Sequence, residues 1–159
     1  MQARHACYKL TETNRKIPQT PTTSSVSGNP TSQSKYVFIP IKVVGVTFNN
    51  DDGVSRQIIL RKLHFHDSPF NEYVDAEIKQ YEFNGQPAFG VYANNMQIGN
   101  IPSDLVPFLH DNIERIESIS SIDVYGGGRK EGHSISYGCK ITLRFLSDNP
   151  PVNVPDTLK

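Results

Sequence analysis

Tryptophan is absent from these 159 residues, and cysteine and methionine occur twice each. Cys7 and Cys139 are too few for a disulfide scaffold or a four-cysteine zinc site, so a reducing, intracellular setting is the expectation. No charge is in excess either: 16 Lys and Arg face 16 Asp and Glu, for a formal net charge of +0. Long apolar runs are missing. The most hydrophobic stretch, YVFIPIKVVGV, is interrupted by Pro40 and Lys42 and falls short of the ~20 residues that a membrane-spanning helix needs. The start, MQARHACYKL, has basic residues but no apolar signal-peptide core. The reading is a cytoplasmic protein with no membrane partner, and one nucleoid-associated if it binds DNA.

What is present is unevenly distributed. Residues 1–35 hold five basic residues (Arg4, Lys9, Arg15, Lys16 and Lys35) against one acid, Glu12, and PQTPTTSSVSGNPTSQS lacks aliphatic periodicity. This composition predicts a flexible linker, and Pro18, Pro21 and Pro30 argue against a transit-peptide helix. SDNPPVNVPDTLK, residues 147–159, reads as a flexible proline-rich tail. A single folded domain is expected between them, over residues 36–146.

Within that body, KYVFIPIKVVGVTF is a β-rich run in which Gly45 marks a bend. VSRQIILRKL, 54–63, predicts a short amphipathic helix capped by Asp52 or Ser55. Ile59 and Leu63 form its apolar face with Ile58 and Leu60 alongside, and Arg56, Arg61 and Lys62 fall mostly on the other side. VDAEIKQYEF and AFGVYA follow as strands, and YANNMQIGNIP turns back at Asn94 and Asn95 into another, with Gly99 allowing curvature where a side chain would clash. SDLVPFLHDN offers Leu105, Phe108 and Leu109 as one face of a second helix, whose first turn Pro107 should bend or delay. RIESISSIDVYG and SISYGCKITLRF alternate apolar and polar residues around a glycine-rich tip. The sum is a mostly β domain of about six strands and two short helices, arranged as a partly closed β-barrel.

Catalysis and metal binding find little in this pattern. His64 and His66 would share a face if HFH were extended, but no cysteine is near and the acids are dispersed, so they read as surface histidines. His5 and Cys7 sit in the linker. YGGGRKEG lacks the Lys-Ser/Thr and helix of a phosphate-binding loop and reads as a flexible hairpin tip. Cys139 lies inside a strand pattern and reads as core, while Glu114 and Glu117 read as solvated acids. The expectation is a protein that is not an enzyme and needs no cofactor or metal.

VVGVTF at 43–48, AFGVY at 88–92 and QIGNIP at 97–102, followed by a short helix and a last hairpin, resemble the HIRAN domain. The likeness covers roughly residues 41–146. It is nearest to bacterial members that insert a segment like Asn50 to Lys62 and carry one like Tyr81 to Ala88. The resemblance implies a modified OB-like barrel that grips the 3′ end of single-stranded DNA beside helicase or nuclease modules. The family's Arg-aromatic pair falls on Thr47 and Phe48, so the aromatic is present and the arginine is replaced. Its hairpin aromatic falls on Tyr125. The Tyr-Asp pair that precedes the AFGVY-like strand has no counterpart in EFNGQPA.

Two functions follow as expectations. In one, the domain binds single-stranded DNA or DNA ends in a repair or processing context. Phe48 and Tyr125 stack bases with Tyr81 or Tyr92, and Arg56, Arg129 or Lys130 hold phosphates. In the other, the pocket is lost and the domain is a scaffold for a protein partner. Residues 36–159 carry 11 Lys and Arg against 15 Asp and Glu, a balance of −4 that suits an acidic surface facing a protein better than a phosphate tracker.

Overall fold

The computed structural model describes residues 35–159, and the readings made on residues 1–34, His5 and Cys7 among them, lie outside the described residues. The element order is β1 (Tyr36–Val43), α1 (Arg56–His64), β2 (Ala76–Phe83), β3 (Gln86–Ala93), β4 (Met96–Asn100), α2 (Val106–Asn112), β5 (Ile116–Gly126), β6 (Arg129–Lys130), β7 (His133–Ser134) and β8 (Tyr137–Leu146). Neither helix among the described residues is long and apolar enough to cross a membrane.

Among the described residues the fold is mostly β with two short helices, but it has eight strands and no closed barrel. Two three-stranded antiparallel sheets, ordered β1-β8-β5 and β2-β3-β4, are accompanied by a two-stranded ribbon, β6-β7. The ribbon, at the tip of the last hairpin, accounts for the difference from six strands. Closure fails because strand β1 ends at Val43, and its chain meets the second sheet through one antiparallel bridge, Val44 to Asn100. In that bridge each backbone N–H donates to the other residue's carbonyl, at 2.9 and 2.8 Å.

Alternation explains the first sheet. Ile39, Ile41 and Val43 of β1, Cys139, Ile141, Leu143 and Phe145 of β8, and Ile119 of β5 face the core and are buried. Their neighbours Phe38, Pro40 and Lys42 on β1 and Lys140 on β8 point the other way, into solvent. The second sheet contributes Ala76, Ile78, Phe89, Val91, Ala93 and Ile98 to the same core. The turn between β3 and β4 forms as its asparagines predict, with Asn94 and Asn95 at φ 45° and 67°.

Helix α1 departs from its expected face. Ile59, Leu60 and Leu63 are buried, whereas Ile58 is 54% exposed. Arg56, expected on the solvent side with Arg61 and Lys62, is only 7% exposed. Ser55 occupies the N-cap without a side-chain cap bond, while Asp52 Oδ1 accepts from the Val54 N–H at 2.9 Å. HFH is not extended: His64 ends α1, and His66 has a φ of 54°. The histidines therefore do not line one strand face. A 3₁₀ turn, Ser103–Leu105, precedes α2 and places Pro107 in its first turn, where a missing N–H costs nothing.

Residues 147–159 are held in place rather than loose. Buried Asn112 at the end of α2 donates to the Val152 carbonyl at 2.8 Å and accepts from the Val152 N–H at 2.7 Å. Val154 and Leu158 pack against the core. At the beginning of the segment, the Ser147 N–H and hydroxyl each donate to the Lys35 carbonyl at 2.9 Å.

Candidate nucleic-acid interface

Arg56, Phe48 and Asn100 meet at Gly45. A Cβ placed on Gly45 would lie 3.1 Å from Asn100 Nδ2, 3.2 Å from an Arg56 guanidinium nitrogen and 3.3 Å from the Phe48 ring. The loop after β1 therefore folds back on itself, with Phe48 N–H donating to the Gly45 carbonyl at 3.3 Å and Arg56 N–H to the Phe48 carbonyl at 3.2 Å. Phe48 remains 63% exposed, so most of its ring is available to a ligand.

Arg56 holds this loop through neutral groups. Its Nε donates to Asn50 Oδ1 at 2.8 Å and its Nη1 to the Gly45 carbonyl at 2.8 Å. No carboxylate forms an ion pair with it among the described residues. Burial pulls its pKa below the ordinary guanidinium value, with the surrounding Tyr81, Tyr92 and Asp51 acting in the opposite direction. An arginine nonetheless stays protonated in a protein, so the site keeps an un-neutralised positive charge.

Amides and phenols extend the cluster. Tyr81 Oη donates to Asn100 Oδ1 at 2.6 Å, and Gln97 Nε2 donates to the same oxygen at 2.8 Å. Asn50 Nδ2 donates to the Gln97 carbonyl at 2.9 Å, linking this pair to the arginine. Burial, followed by Tyr81, raises the Tyr92 phenol above its ordinary value of 10.0. Lys79 Nζ sits 4.5 Å from the Tyr92 ring centroid, a cation–π contact on the same strand pair. Beside the cluster, a cleft of about 280 Å³ is lined by Val44, Phe83, Pro87 and Ile101 and shares Tyr81 and Asn100 with it.

Of the residues singled out from sequence, Phe48, Arg56, Tyr81 and Tyr92 come together here. Thr47 lies exposed in the same loop. Tyr125 does not join them. It pairs with Gly138 across β5 and β8, its ring lies over that glycine, and no ring contact connects it to Phe48 among the described residues. Arg129 and Lys130 are exposed on the ribbon beyond it. Asn50, Gln97, Asn100 and Gln57 escaped the sequence reading. Gln57 donates to the carbonyls of Val46 and Tyr137 at 2.9 Å and accepts from the Tyr137 N–H at 2.7 Å, tying α1 and the Phe48 loop to β8. Isolated amides carry no motif, and their partners lie up to 80 positions away.

No group of three or more His, Cys, Asp or Glu is arranged to hold a metal among the described residues. Cys139 is fully buried in β8, and burial followed by Asp123 pushes its thiol up to about 12 from 9.0. A raised folded-state pKa keeps its stabilising contribution whole below pH 9 and loses it as the pH climbs toward 12. In a Cys7→Ser background, a thiol-disulfide reagent at pH 8 is expected to leave Cys139 unmodified in the folded chain and to label it fully in denaturant. Fast labelling of the folded protein would contradict the packing of β8.

Compared with known proteins, the chain matches no family model, no curated protein and no solved structure.

Proposed function

We propose that this chain is a HIRAN-like, non-catalytic module that binds single-stranded DNA or DNA ends during repair or processing. The observation that carries the reading is the buried Arg56 guanidinium, unpaired with any carboxylate among the described residues, beside the exposed Phe48 ring. The resemblance asks for an arginine and an aromatic together on the loop after the first strand. Thr47 occupies the expected arginine position, and Arg56 reaches the same loop from α1. A guanidinium held by neutral acceptors retains its charge for a phosphate, and an adjacent ring offers a face on which any base can stack. Tyr81 and Tyr92 supply further rings, and Tyr125, Arg129 and Lys130 extend the contact along the last hairpin.

The −4 balance of residues 36–159 favours a second reading, a scaffold whose acidic surface faces a protein partner. Fluorescence anisotropy of the full chain separates the two. Labelled single strands with free or phosphorylated 3′ ends are titrated at low salt. Binding is expected, and the Phe48→Ala, Tyr125→Ala double variant should weaken it at least about tenfold, because each stacked base contributes ~1–3 kcal/mol. Undetectable binding, or an unchanged double variant, overturns the DNA reading, and recovery of a specific protein through the folded domain would then support the scaffold.

A further inference from the structure

The face of the β1-β8-β5 sheet turned away from the core has a composition that the fold does not require. Directly opposed residues in an antiparallel pair share a face, and so do alternate residues along each strand. By that rule Tyr36, Phe38, Pro40 and Lys42 of β1 stand with Gly138, Lys140, Thr142 and Arg144 of β8, and with Asp123 and Tyr125 of β5. Lys42 and Lys140 are directly opposite each other. Like charges in that position repel, and neither lysine has a carboxylate within ion-pair distance among the described residues. Asp123 is opposite Lys140 on its other side, but its carboxylate accepts from the Ser121 hydroxyl at 3.1 Å.

Rings interleave with these cations. Phe38 is 50% exposed and lies 6.2 Å from Tyr36, centroid to centroid. Lys35 and Arg144 both stand over Tyr36, at 5.6 and 4.7 Å, and Arg144 is paired with Glu117. At the other end of the face, Tyr125 is 46% exposed and its ring lies over Gly138, two pairs along from Lys140. Lysine and proline on an edge strand are a common defence against edge-to-edge aggregation, which accounts for Lys42 and Pro40. It does not account for Lys140 and Arg144, because β8 is the central strand.

We propose that this sheet face is a track for a single-stranded nucleic acid, with Lys42 and Lys140 clasping a phosphate and Phe38 and Tyr125 stacking bases on either side. A phosphate placed between the two lysines relieves their repulsion, and the separation of the rings along the strands suits an extended polymer rather than a small anion. The inference rests on the proposed function in taking nucleic acid as the ligand and shares Tyr125 with it, while its other residues lie on a surface that Arg56 and Phe48 do not reach through any contact described above.

The test uses the full chain and labelled oligo-dT and oligo-U of roughly 12 nucleotides, within the span expected for an OB-sized domain. The Lys42→Glu, Lys140→Glu variant is expected to bind at least about tenfold more weakly and to flatten the dependence of log K on log salt by about 0.7, the share of the one phosphate they clasp. Phe38→Ala should weaken binding about fivefold or more without altering that slope. Near-identical thermal unfolding of the exposed-site variants would show that folding is not the cause. Full-strength binding by both variants overturns the track, and if Phe48→Ala alone abolishes binding, the proposed function survives without it. If the sheet variants alone weaken binding, the track stands and the Arg56–Phe48 reading falls. A polyglutamate peptide bound as tightly as the oligonucleotides, with no loss in Phe38→Ala, would overturn nucleic acid as the occupant. Equal responses of oligo-dT and oligo-U support a track that does not distinguish DNA from RNA.

Discussion

Replacing Gly99 with alanine is expected to destabilise the domain by about 3 kcal/mol, read as a lower urea midpoint with an unchanged slope. Gly99 lies on β4 next to Asn100, which forms the bridge between the two sheets. A Cβ there would overlap Val43 Cγ1 and lie 2.6 Å from the Val44 carbonyl oxygen. The oxygen cannot step aside, because it accepts from Asn100 N–H at 2.8 Å in the bridge that joins the sheets. Val43 is also fixed, being 2% exposed in the core. The added methyl therefore either forces β4 away from the first sheet or breaks the bridge, and both routes disturb Asn100 and the amide cluster it supports. A Gly99→Ala protein as stable as the parent would show that the sheets can separate there at no cost.

The second large effect is expected at Arg56. Arg56→Ala should cost about 3 kcal/mol, since two hydrogen bonds from a charged group are lost, each contributing ~1.5–3 kcal/mol before the loop relaxes. Asn50 Oδ1 and the Gly45 carbonyl both face the arginine, so one truncation strips the Asn50 oxygen of its donor and leaves the Gly45 carbonyl with only the Phe48 N–H, in the loop that carries Phe48. Arg56→Lys should recover little of this, because an ammonium lacks the planar fork that meets two acceptors at once. Loss of nucleic-acid binding should accompany the loss of stability in Arg56→Ala. The measurements are equilibrium unfolding and amide exchange at residues 45–50. Unchanged protection of that loop in Arg56→Ala would contradict the clamp.

Local patterns proved readable where local interactions decide the outcome. The turn at Asn94 and Asn95 needs only residues that accept a left-handed backbone, and both do so. Strand β1 shows its alternation in sequence, and the clash anticipated at Gly99 is present because strand curvature and a missing side chain were both visible there. Helix α1 was harder. Its period places Arg56 among the polar residues, and the groups that bury it, Asn50 and the Gly45 carbonyl, belong to a loop whose path depends on the opposite sheet. Barrel closure depends on pairing between distant strands, and a single bridge at Val44 is not encoded by any alternation. The last residues looked loose because they hold many prolines and little apolar periodicity, yet one asparagine on α2 supplies both bonds that fasten them.

The basic sheet face was legible in part. Tyr125 was singled out, but Lys42 and Lys140 are 98 positions apart in the chain and become neighbours only through the register of β1 on β8. Net charge also hid the feature, because a whole-domain balance of −4 averages over faces. Where the charges lie decides what a surface can attract.

The bond between Lys35 and Ser147 bears on how the domain responds to force. The chain enters β1 and leaves β8 at adjacent points, and the terminal pair of that ladder is Tyr36 with Leu146. Tension applied across those points would peel the two strands apart one pair at a time from that end, instead of shearing all eight pairs together. Such a domain yields readily when pulled at those two points, with the hydrogen bonds from Ser147 to Lys35 forming the first latch to open.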